Sequence, residues 1–395
     1  MSGNRKRERK RRFALGAGLA GLAMITLAAA FRLDYLLLVL PATLLSYGAH
    51  RAMIGERGVP VLTYHSVTNN QAWLPWAREI TVRTESFAAQ VAMLQRLGLR
   101  TITTHDMLAY REKGALPPPN CIILHFDDGY LDNLTIAAPI LQKANMTATV
   151  FPSLDFIEPE RARARADGDA GYLTWSEIRN LRDRFGWGIE PHGVNHGRIP
   201  VSAEAVDTLT ADNWRRHAWL QWHHMPGAKH DWFRQSEPPA VPIGSPVPQS
   251  ALALAACGVV DGRVETARDL DTRIITHLSQ CRNVFAKELG NEPDIFCWPE
   301  NQACARGREV AEELGYSATT AGKGRNTLTE DARIISRIHV GDRALGFRWP
   351  WADAVLLRAQ IRLMQGNFYW YAVVAPMNAM RALVFAVRDR TGRPA

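Results

Sequence analysis

Residues 121–130 read CIILHFDDGY, an apolar run that ends in two adjacent aspartates and a glycine. The run predicts a buried strand with Asp127 and Asp128 at its carboxyl end. Two carboxylates beside a core strand are costly unless they are paired or used, because a buried charge needs a partner. A turn at Gly129 would let both side chains face one cavity, where one binds a metal and the other acts as a base. Taken alone, the pattern also fits a turn with solvated acids.

A second motif lies after the short predicted strand Gly188–Glu190, where residues 192–196 read HGVNH. Two histidines four positions apart can present both imidazoles to one ion. Together with an aspartate they form a facial ligand set that leaves coordination positions open for water and substrate. Active sites of α/β folds gather at the carboxyl ends of the strands. The two motifs together therefore predict a divalent metal centre.

The chain around these motifs alternates between short β-branched runs and amphipathic helices. A capping box at residues 174–177, TWSE, marks one helix start. Such alternation predicts an α/β fold with a mostly parallel sheet, and roughly six to eight units indicate a barrel. Residues 197–268 break this order and are rich in Pro, Trp and His, which predicts a long insertion without a core of its own. Its tryptophans fit either a sugar-stacking platform or ordinary packing: Trp214, Trp219, Trp222 and Trp232.

Charge is concentrated at the amino terminus. Residues 1–12 hold seven Lys or Arg and one Glu, and so account for +6 of the formal net charge of +8. This distribution predicts a basic tail and argues against a nucleic-acid-binding face. Residues 13–31 and 35–49 carry no Asp, Glu, Lys or Arg. They predict a membrane anchor at 13–49, either one helix or a hairpin of two, with the tail in the cytoplasm.

The anchor implies location at the bacterial inner (cell) membrane, and it leaves open which side carries the catalytic domain. A cleaved signal peptide is disfavoured, because a second apolar run follows the first at once. At the other end, residues 346–395 include the aromatic and aliphatic stretch Phe368–Val387, interrupted by Pro376 and Arg381. This stretch predicts either an interfacial helix lying on the bilayer or a helix packed on the main domain.

Six stretches in order resemble the polysaccharide deacetylase family, carbohydrate esterases of the chitooligosaccharide deacetylase type. They read VLTYHSV at 61–67, FDDGY at 126–130, HGVNH at 192–196, FCWP at 296–299, GY at 315–316 and SRIHV at 336–340. The first and fourth are most similar to the branch that acts on poly-N-acetylglucosamine. The resemblance implies a distorted (β/α)7 barrel over residues 58–345, interrupted by the 197–268 insertion.

Carried over by residue, the resemblance implies one divalent metal, usually Zn²⁺, bound by Asp128, His192 and His196. Asp127 would be the general base that activates the attacking water, and His339 would be the general acid. The remaining residues of the implied site are expected to contact the substrate: His65, Tyr130, Trp298 and Glu300. The implied function is a zinc-dependent hydrolase that removes N-acetyl groups from an amino-sugar polysaccharide or a lipid-linked glycan.

The chain departs from the family pattern after Trp298, where residues 299–301 read PEN in place of PYG. The backbone N–H of Glu300 would still be able to serve an oxyanion, but its carboxylate would favour a cationic or differently decorated sugar. The changed loop also motivates an alternative from another class, a catalytically silent glycan-binding or assembly subunit of an exopolysaccharide system.

Overall fold

The computed structural model describes residues 16, 18, 20–27, 30, 35–160, 168–260 and 262–391. Its strands, in chain order, are β1 (Val61–Tyr64), β2 (Ser66–Val67), β3 (Thr81–Val82), β4 (Arg100–Thr101), β5 (Cys121–Asp128), β6 (Thr149–Pro152), β7 (Gly188–Ile189), β8 (Arg198–Thr208), β9 (Pro246–Leu252), β10 (Val259–Val260), β11 (Arg263–Val264), β12 (Ile295–Cys297), β13 (Ala318–Thr320), β14 (Ile334–Ile335) and β15 (Ile338–His339).

Its α-helices are α1 (Tyr35–Met53), α2 (Ala77–Ile80), α3 (Thr84–Arg96), α4 (Thr104–Glu112), α5 (Ala138–Lys143), α6 (Trp175–Phe185), α7 (Ala218–His224), α8 (Ala267–Leu289), α9 (Ala305–Glu313), α10 (Pro350–Met364) and α11 (Tyr371–Thr391). Capping boxes begin α4, α6 and α8, because the side chain of Thr103, Thr174 or Thr266 accepts from the backbone N–H three residues on. The start of α6 is the one predicted from TWSE.

Two parallel sheets hold the functional motifs. The larger has the order β15-β1-β5-β6-β7, with β4 also paired to β5, and the smaller has the order β12-β13-β14. Every pair within both sheets is parallel. Parallel strands align their carboxyl ends at one edge, so the ends of β5, β6 and β7 lie together. The α/β class with parallel strands is therefore confirmed.

Hydrogen bonds connect the two sheets on one side, and the chain itself connects them on the other. The Cys297 N–H donates to the Pro191 carbonyl oxygen at 2.9 Å, which places β12 beside the segment after β7. On the opposite side, only Ser336 and Arg337 separate β14 from β15. Closure into a seven-unit barrel stays a prediction.

A buried, largely apolar central strand explains where the core lies. In β5 every residue from Cys121 to Asp127 is buried, because helices cover the sheet. The main cluster gathers Phe87, Leu94, Phe126, Trp187 and Phe285 with their neighbours. Packing in the core therefore fixes the position of the strand end that carries the two aspartates.

The 197–268 insertion is more ordered than we predicted. Strands β8 and β9 form a long antiparallel hairpin, and α7 packs against its base. The insertion has a small core of its own, formed by Leu209, Trp214, Leu220 and Val247. Our expectation that it lacks a core is wrong, because its apolar residues are spread over two strands and a seven-residue helix too short to show a clear periodicity.

The end of α1 and the residue after it contact the turn between α10 and α11. Ile54 forms a bridge with Asn367, and His50 Nδ1 lies 3.0 Å from the Tyr369 hydroxyl. By length and composition alone, one helix of the described residues could cross a membrane, at Phe368–Arg388 with a mean hydropathy of 1.4. That candidate is at the carboxyl end. The predicted basic tail, residues 1–12, and parts of the predicted anchor lie outside the described residues.

Candidate metal centre and catalytic cavity

The carboxyl end of β5 places Asp128 next to the two histidines of the HGVNH motif. Asp128 has a φ of 72° and Gly129 a φ of 74°, and a Cβ at position 129 would lie 2.8 Å from Pro152 Cβ, so this turn needs glycine. Asp128 Oδ1 lies 3.4 Å from His192 Nε2 and 3.9 Å from His196 Nε2. The structure therefore brings together the three residues that we expected to be metal ligands.

His192 is oriented for ligation by its second ring nitrogen. Its Nδ1–H donates to the Cys297 carbonyl oxygen at 3.1 Å, which leaves the Nε2 lone pair facing Asp128. Burial lowers the pKa of His192 to about 3, so the imidazole is neutral near pH 7. Neutral imidazole is the form that binds a metal.

The ligand atoms fit a divalent ion. The carboxylate oxygen and the two imidazole nitrogens of Asp128, His192 and His196 all lie within 4.8 Å of one another. An overlapping set contains Asp127, His192 and Cys297, all buried. Burial raises the pKa of the Cys297 thiol well above its usual value, which keeps the sulfur protonated and a poor ligand. The Asp128 set is therefore the better match, and its mixture of nitrogen and oxygen donors is one that zinc accepts.

Asp127 is held in a buried ion pair. Arg337 Nη1 donates to Asp127 Oδ1 at 2.7 Å, and only 5% and 3% of the two side chains are exposed. Burial by itself raises the pKa of Asp127, but Arg337, His192 and His65 together outweigh it and hold that pKa well below the usual value. Asp127 is therefore a carboxylate at neutral pH, the form that accepts a proton.

Two further histidines lie near Asp127. His65 Nε2 is 3.9 Å from Asp127 Oδ2, and the His65 and His339 rings are 5.2 Å apart. Burial lowers the pKa of His65 to about 3, against the opposing effect of Asp127. The Nε2–H of His339 donates to the Glu79 carbonyl oxygen at 2.8 Å.

A cavity of about 280 Å³ opens over the proposed ligands. Asp128, His196 and His65 line it on one side. Its other walls carry aromatic and basic residues, of which Trp219, Trp222, Arg198 and Arg216 come from the insertion, and Trp76, Tyr130, Phe156 and Tyr172 from the main domain. Within the described chain, His339 lines a different and larger cavity. Its ring donates to Glu79 instead of facing the cavity over Asp128, and its role as the general acid stays a prediction.

Tyr130 lines this cavity, and its contact with the substrate stays a prediction. It is 2% exposed, and its hydroxyl hydrogen-bonds to Asp128 while it also interacts with the Trp76 side chain. The hydroxyl therefore helps to fix the Asp128 carboxylate. The pair connects the wall of the cavity to its metal ligands.

Two other expected contact residues behave differently. Trp298 is fully buried and packs on Phe296 and Gly307, so our expectation of a substrate contact is wrong and it is a core residue. Glu300 does line the cavity, with a φ of 51°, but its carboxylate is paired with Arg198 from the insertion. The new carboxylate is thus neutralised within the protein, which argues against the cationic sugar that we expected it to favour.

Comparison with known proteins bears directly on this arrangement. Residues 115–230 match the family model for polysaccharide deacetylase. The chain carries a polysaccharide deacetylase domain. The match contains Asp127, Asp128, His192 and His196, whereas His65 and Arg337 lie outside it.

Two curated relatives of the deacetylase domain match over part of their length. YxkH of Bacillus subtilis, named for the same family, is 27% identical over 138 residues, which are 35% of this chain and 43% of that protein. The poly-beta-1,6-N-acetyl-D-glucosamine N-deacetylase of Escherichia coli K12 is 22% identical over 266 residues, 66% of this chain and 33% of that protein. The chain thus spans less than half the length of these relatives.

Two solved structures share the fold of the deacetylase domain. A de-N-acetylase from Aggregatibacter actinomycetemcomitans superposes with a TM-score of 0.51 at 18% identity, covering 71% of this chain and 94% of that one. The BpsB deacetylase domain from Bordetella bronchiseptica gives a TM-score of 0.50 at 18% identity, covering 73% and 97%. At this identity the likeness concerns the fold.

Arg337 is the site residue that sequence reasoning missed. It lies in the run IISRIHV at residues 334–340, where Ile334 and Ile335 precede it and Ile338 follows it. A charge in such a position needs a buried partner, and that pattern was the available signal.

Proposed function

We propose that this chain is a metal-dependent carbohydrate de-N-acetylase that acts on an amino-sugar polysaccharide or lipid-linked glycan. The observation that carries the proposal is the convergence of Asp128, His192 and His196 within 4.8 Å, beside the buried carboxylate of Asp127. The aromatic cavity above them supports a sugar ligand, because sugar rings stack on such side chains. The relative from Escherichia coli is named for N-acetyl-D-glucosamine, which supports the same substrate class.

A bound divalent ion, for which we propose Zn²⁺, would polarise the acetamide carbonyl and acidify the attacking water. Asp127 accepts the proton of that water on Oδ2, since Arg337 occupies Oδ1. Its low pKa means that Asp127 is ready as a base but holds the proton weakly. The proton must therefore move on.

We assign the delivery of that proton to His65 instead of His339. His65 is neutral at rest, lies 3.9 Å from Asp127 Oδ2 and lines the cavity. It receives the proton from Asp127 and passes it to the leaving nitrogen as the C–N bond breaks. Water supplies the oxygen added to the acetate product. One of its protons reaches the leaving nitrogen through Asp127 and His65, and the other is lost as acetic acid ionises to acetate and is taken up by the free amine, which is an ammonium group at neutral pH.

The proposal includes the membrane anchor predicted at residues 13–49. A Cβ on Gly18 would lie 3.0 Å from Ala49 Cβ, and one on Gly21 would lie 3.6 Å from the Ala42 carbonyl oxygen. These approaches support a hairpin of two helices within 13–49 over a single helix. We propose that this hairpin anchors the protein in the bacterial inner membrane and that the sheets close into the (β/α)7 barrel.

The test is release of acetate by the full chain, purified in detergent, from N-acetylglucosamine oligomers. Wild-type protein should release acetate, a chelator should stop it and added zinc should restore it. Asp127→Asn should abolish release, whereas Asp183→Asn, which changes an exposed aspartate in α6, should not. Absence of release from both oligomers and lipid-linked sugars would instead favour the silent glycan-binding subunit.

A further inference from the structure

A second cavity lies outside the proposed catalytic cavity. It has a volume of about 580 Å³ and lies between β15 and the two carboxy-terminal helices, α10 and α11. His339 and Arg337 form part of its wall. Nothing in the proposed hydrolysis uses this space.

The cavity is rich in cations. Its lining contains six Arg or Lys residues and three acids. Two of the acids are shared between an arginine of the lining and one outside it. Asp342 accepts from Arg348 Nε at 3.0 Å and also lies 3.5 Å from Arg343, and Glu79 lies 3.4 Å from Arg216 and 3.5 Å from Arg78. Asp353 accepts from the Ala344 N–H at 2.7 Å. The wall therefore keeps an excess of positive charge.

Arg381 is the cation of this wall that most clearly needs an anionic partner. Its Nη2 donates to Asn378 Oδ1, one turn earlier in α11, and no carboxylate of the described residues forms an ion pair with it. Burial lowers its pKa without any opposing acid. Arg343, which is 7% exposed, and Arg78 line the same cavity. The half-buried guanidinium of Arg381 is costly unless an anion meets it, and phosphate matches guanidinium geometry.

The rest of the lining is apolar. Leu356, Leu363, Phe368, Tyr371 and Phe385 face the cavity from α10, α11 and the turn between them. On the outer side of α11, Met380, Leu383 and Val387 are 48%, 58% and 51% exposed, at the spacing of one helix face. Trp349 and Trp351, before and within α10, are also exposed. Such a surface suits the interface of a bilayer.

We propose that this cavity binds an anionic lipid, with a phosphate group at Arg78, Arg343 and Arg381 and an apolar chain along Phe368 and Phe385. The apolar outer face of α11 places the cavity beside the membrane from which such a lipid would enter. A free phosphate ion would satisfy the arginines but leave the apolar wall unused. The inference does not depend on the metal centre, because none of the proposed ligands lines this cavity.

The experiment is calorimetric titration of the full chain in detergent with three probes. Dihexanoyl phosphatidic acid carries phosphate and apolar chains, glycerol 3-phosphate carries only the phosphate, and dihexanoyl phosphatidylcholine masks the phosphate charge. The first should bind at least about ten-fold more tightly than the other two. Equal binding of glycerol 3-phosphate would point to a free anion and overturn the lipid assignment, and equal binding of phosphatidylcholine would overturn the role of charge.

Substitutions of single arginines test whether the lipid binds in this cavity. Arg381→Gln should weaken binding of phosphatidic acid about ten-fold, since a hydrogen bond to a charged group is worth roughly that factor. Arg388→Gln removes the same charge from the same helix outside the cavity lining and should stay within about two-fold. Arg78→Gln provides a second variant should Arg381→Gln unfold at a lower temperature. Unchanged binding by a folded Arg381→Gln or Arg78→Gln would refute the site, and acetate release from soluble oligomers would be unaffected in either case.

Discussion

Replacing Arg337 with methionine would remove the charge that faces Asp127 while keeping a side chain of similar length. The two groups are joined at 2.7 Å and are almost completely buried. Removing one partner of a buried ion pair leaves the other charge buried and unpaired, which lowers the free energy of unfolding by roughly 3–5 kcal/mol. We therefore expect Arg337→Met to be less stable than wild type by about that amount near pH 7.

The same substitution should change the pH dependence. Burial raises the pKa of Asp127 and Arg337 is the chief group that opposes it, so without Arg337 the pKa rises. A raised folded-state pKa means that the folded variant takes up a proton as the pH falls. Its stability deficit should therefore shrink toward acid pH, and the acid limb of its kcat/KM profile should move to higher pH.

A double variant distinguishes the cost of an unpaired buried charge from the cost of losing the Arg337 side chain itself. Asp127→Asn combined with Arg337→Met leaves no stranded charge, so most of the lost stability should return while acetate release stays absent. Arg333→Met, at an exposed ion pair with Glu312, should have little effect on stability and serves as the control. Urea unfolding and acetate release would be measured in the same detergent. The reasoning fails if the double variant is no more stable than Arg337→Met, or if Arg337→Met matches the control.

Three further outcomes follow from the site. His65→Asn should lower kcat/KM by about 100-fold or more, as loss of a proton-transfer group does. His339→Asn should lower kcat/KM far less. The reverse order of these two effects in the acetate assay would indicate that His339 is the general acid. Trp298→Ala should cost roughly 3–5 kcal/mol in urea unfolding because it empties a core site, with KM unchanged in the folded protein; a KM effect alone would contradict the core assignment. Burial raises the pKa of Asp128 to about 6, so the protonated ligand should weaken zinc binding as the pH falls below that value; competition with a zinc indicator that shows constant affinity from pH 8 to 5 would exclude Asp128 as a ligand.

Local sequence pattern was enough to find the residues of the candidate metal centre. An apolar strand ending in two aspartates fixes where β5 stops, and parallel strands bring their ends to one edge. The HGVNH motif follows β7 at that same edge. Asp127, Asp128, His192 and His196 could therefore be placed near one another from the sequence.

Side-chain direction could not be predicted beyond the strand ends. The β-branched run Ile334–Val340 has the pattern of one strand, but it breaks at Ser336 and Arg337, so β14 pairs with β13 and β15 pairs with β1. The break sends Arg337 to Asp127 and lets His339 turn to Glu79. Trp298 similarly follows β12 into the core. The direction of these side chains depends on tertiary packing, which the spacing of residues along the sequence does not determine.

The central claim is that Asp128, His192 and His196 share one divalent ion on which hydrolysis depends. Its most direct test is metal analysis of three purified proteins, wild type, Asp128→Asn and Asp127→Asn, combined with the acetate assay. We predict about one metal per chain in wild type and in Asp127→Asn, a strongly reduced content in Asp128→Asn, and acetate release by wild type alone. Full metal content in Asp128→Asn, or acetate release by metal-free wild type, would contradict the account.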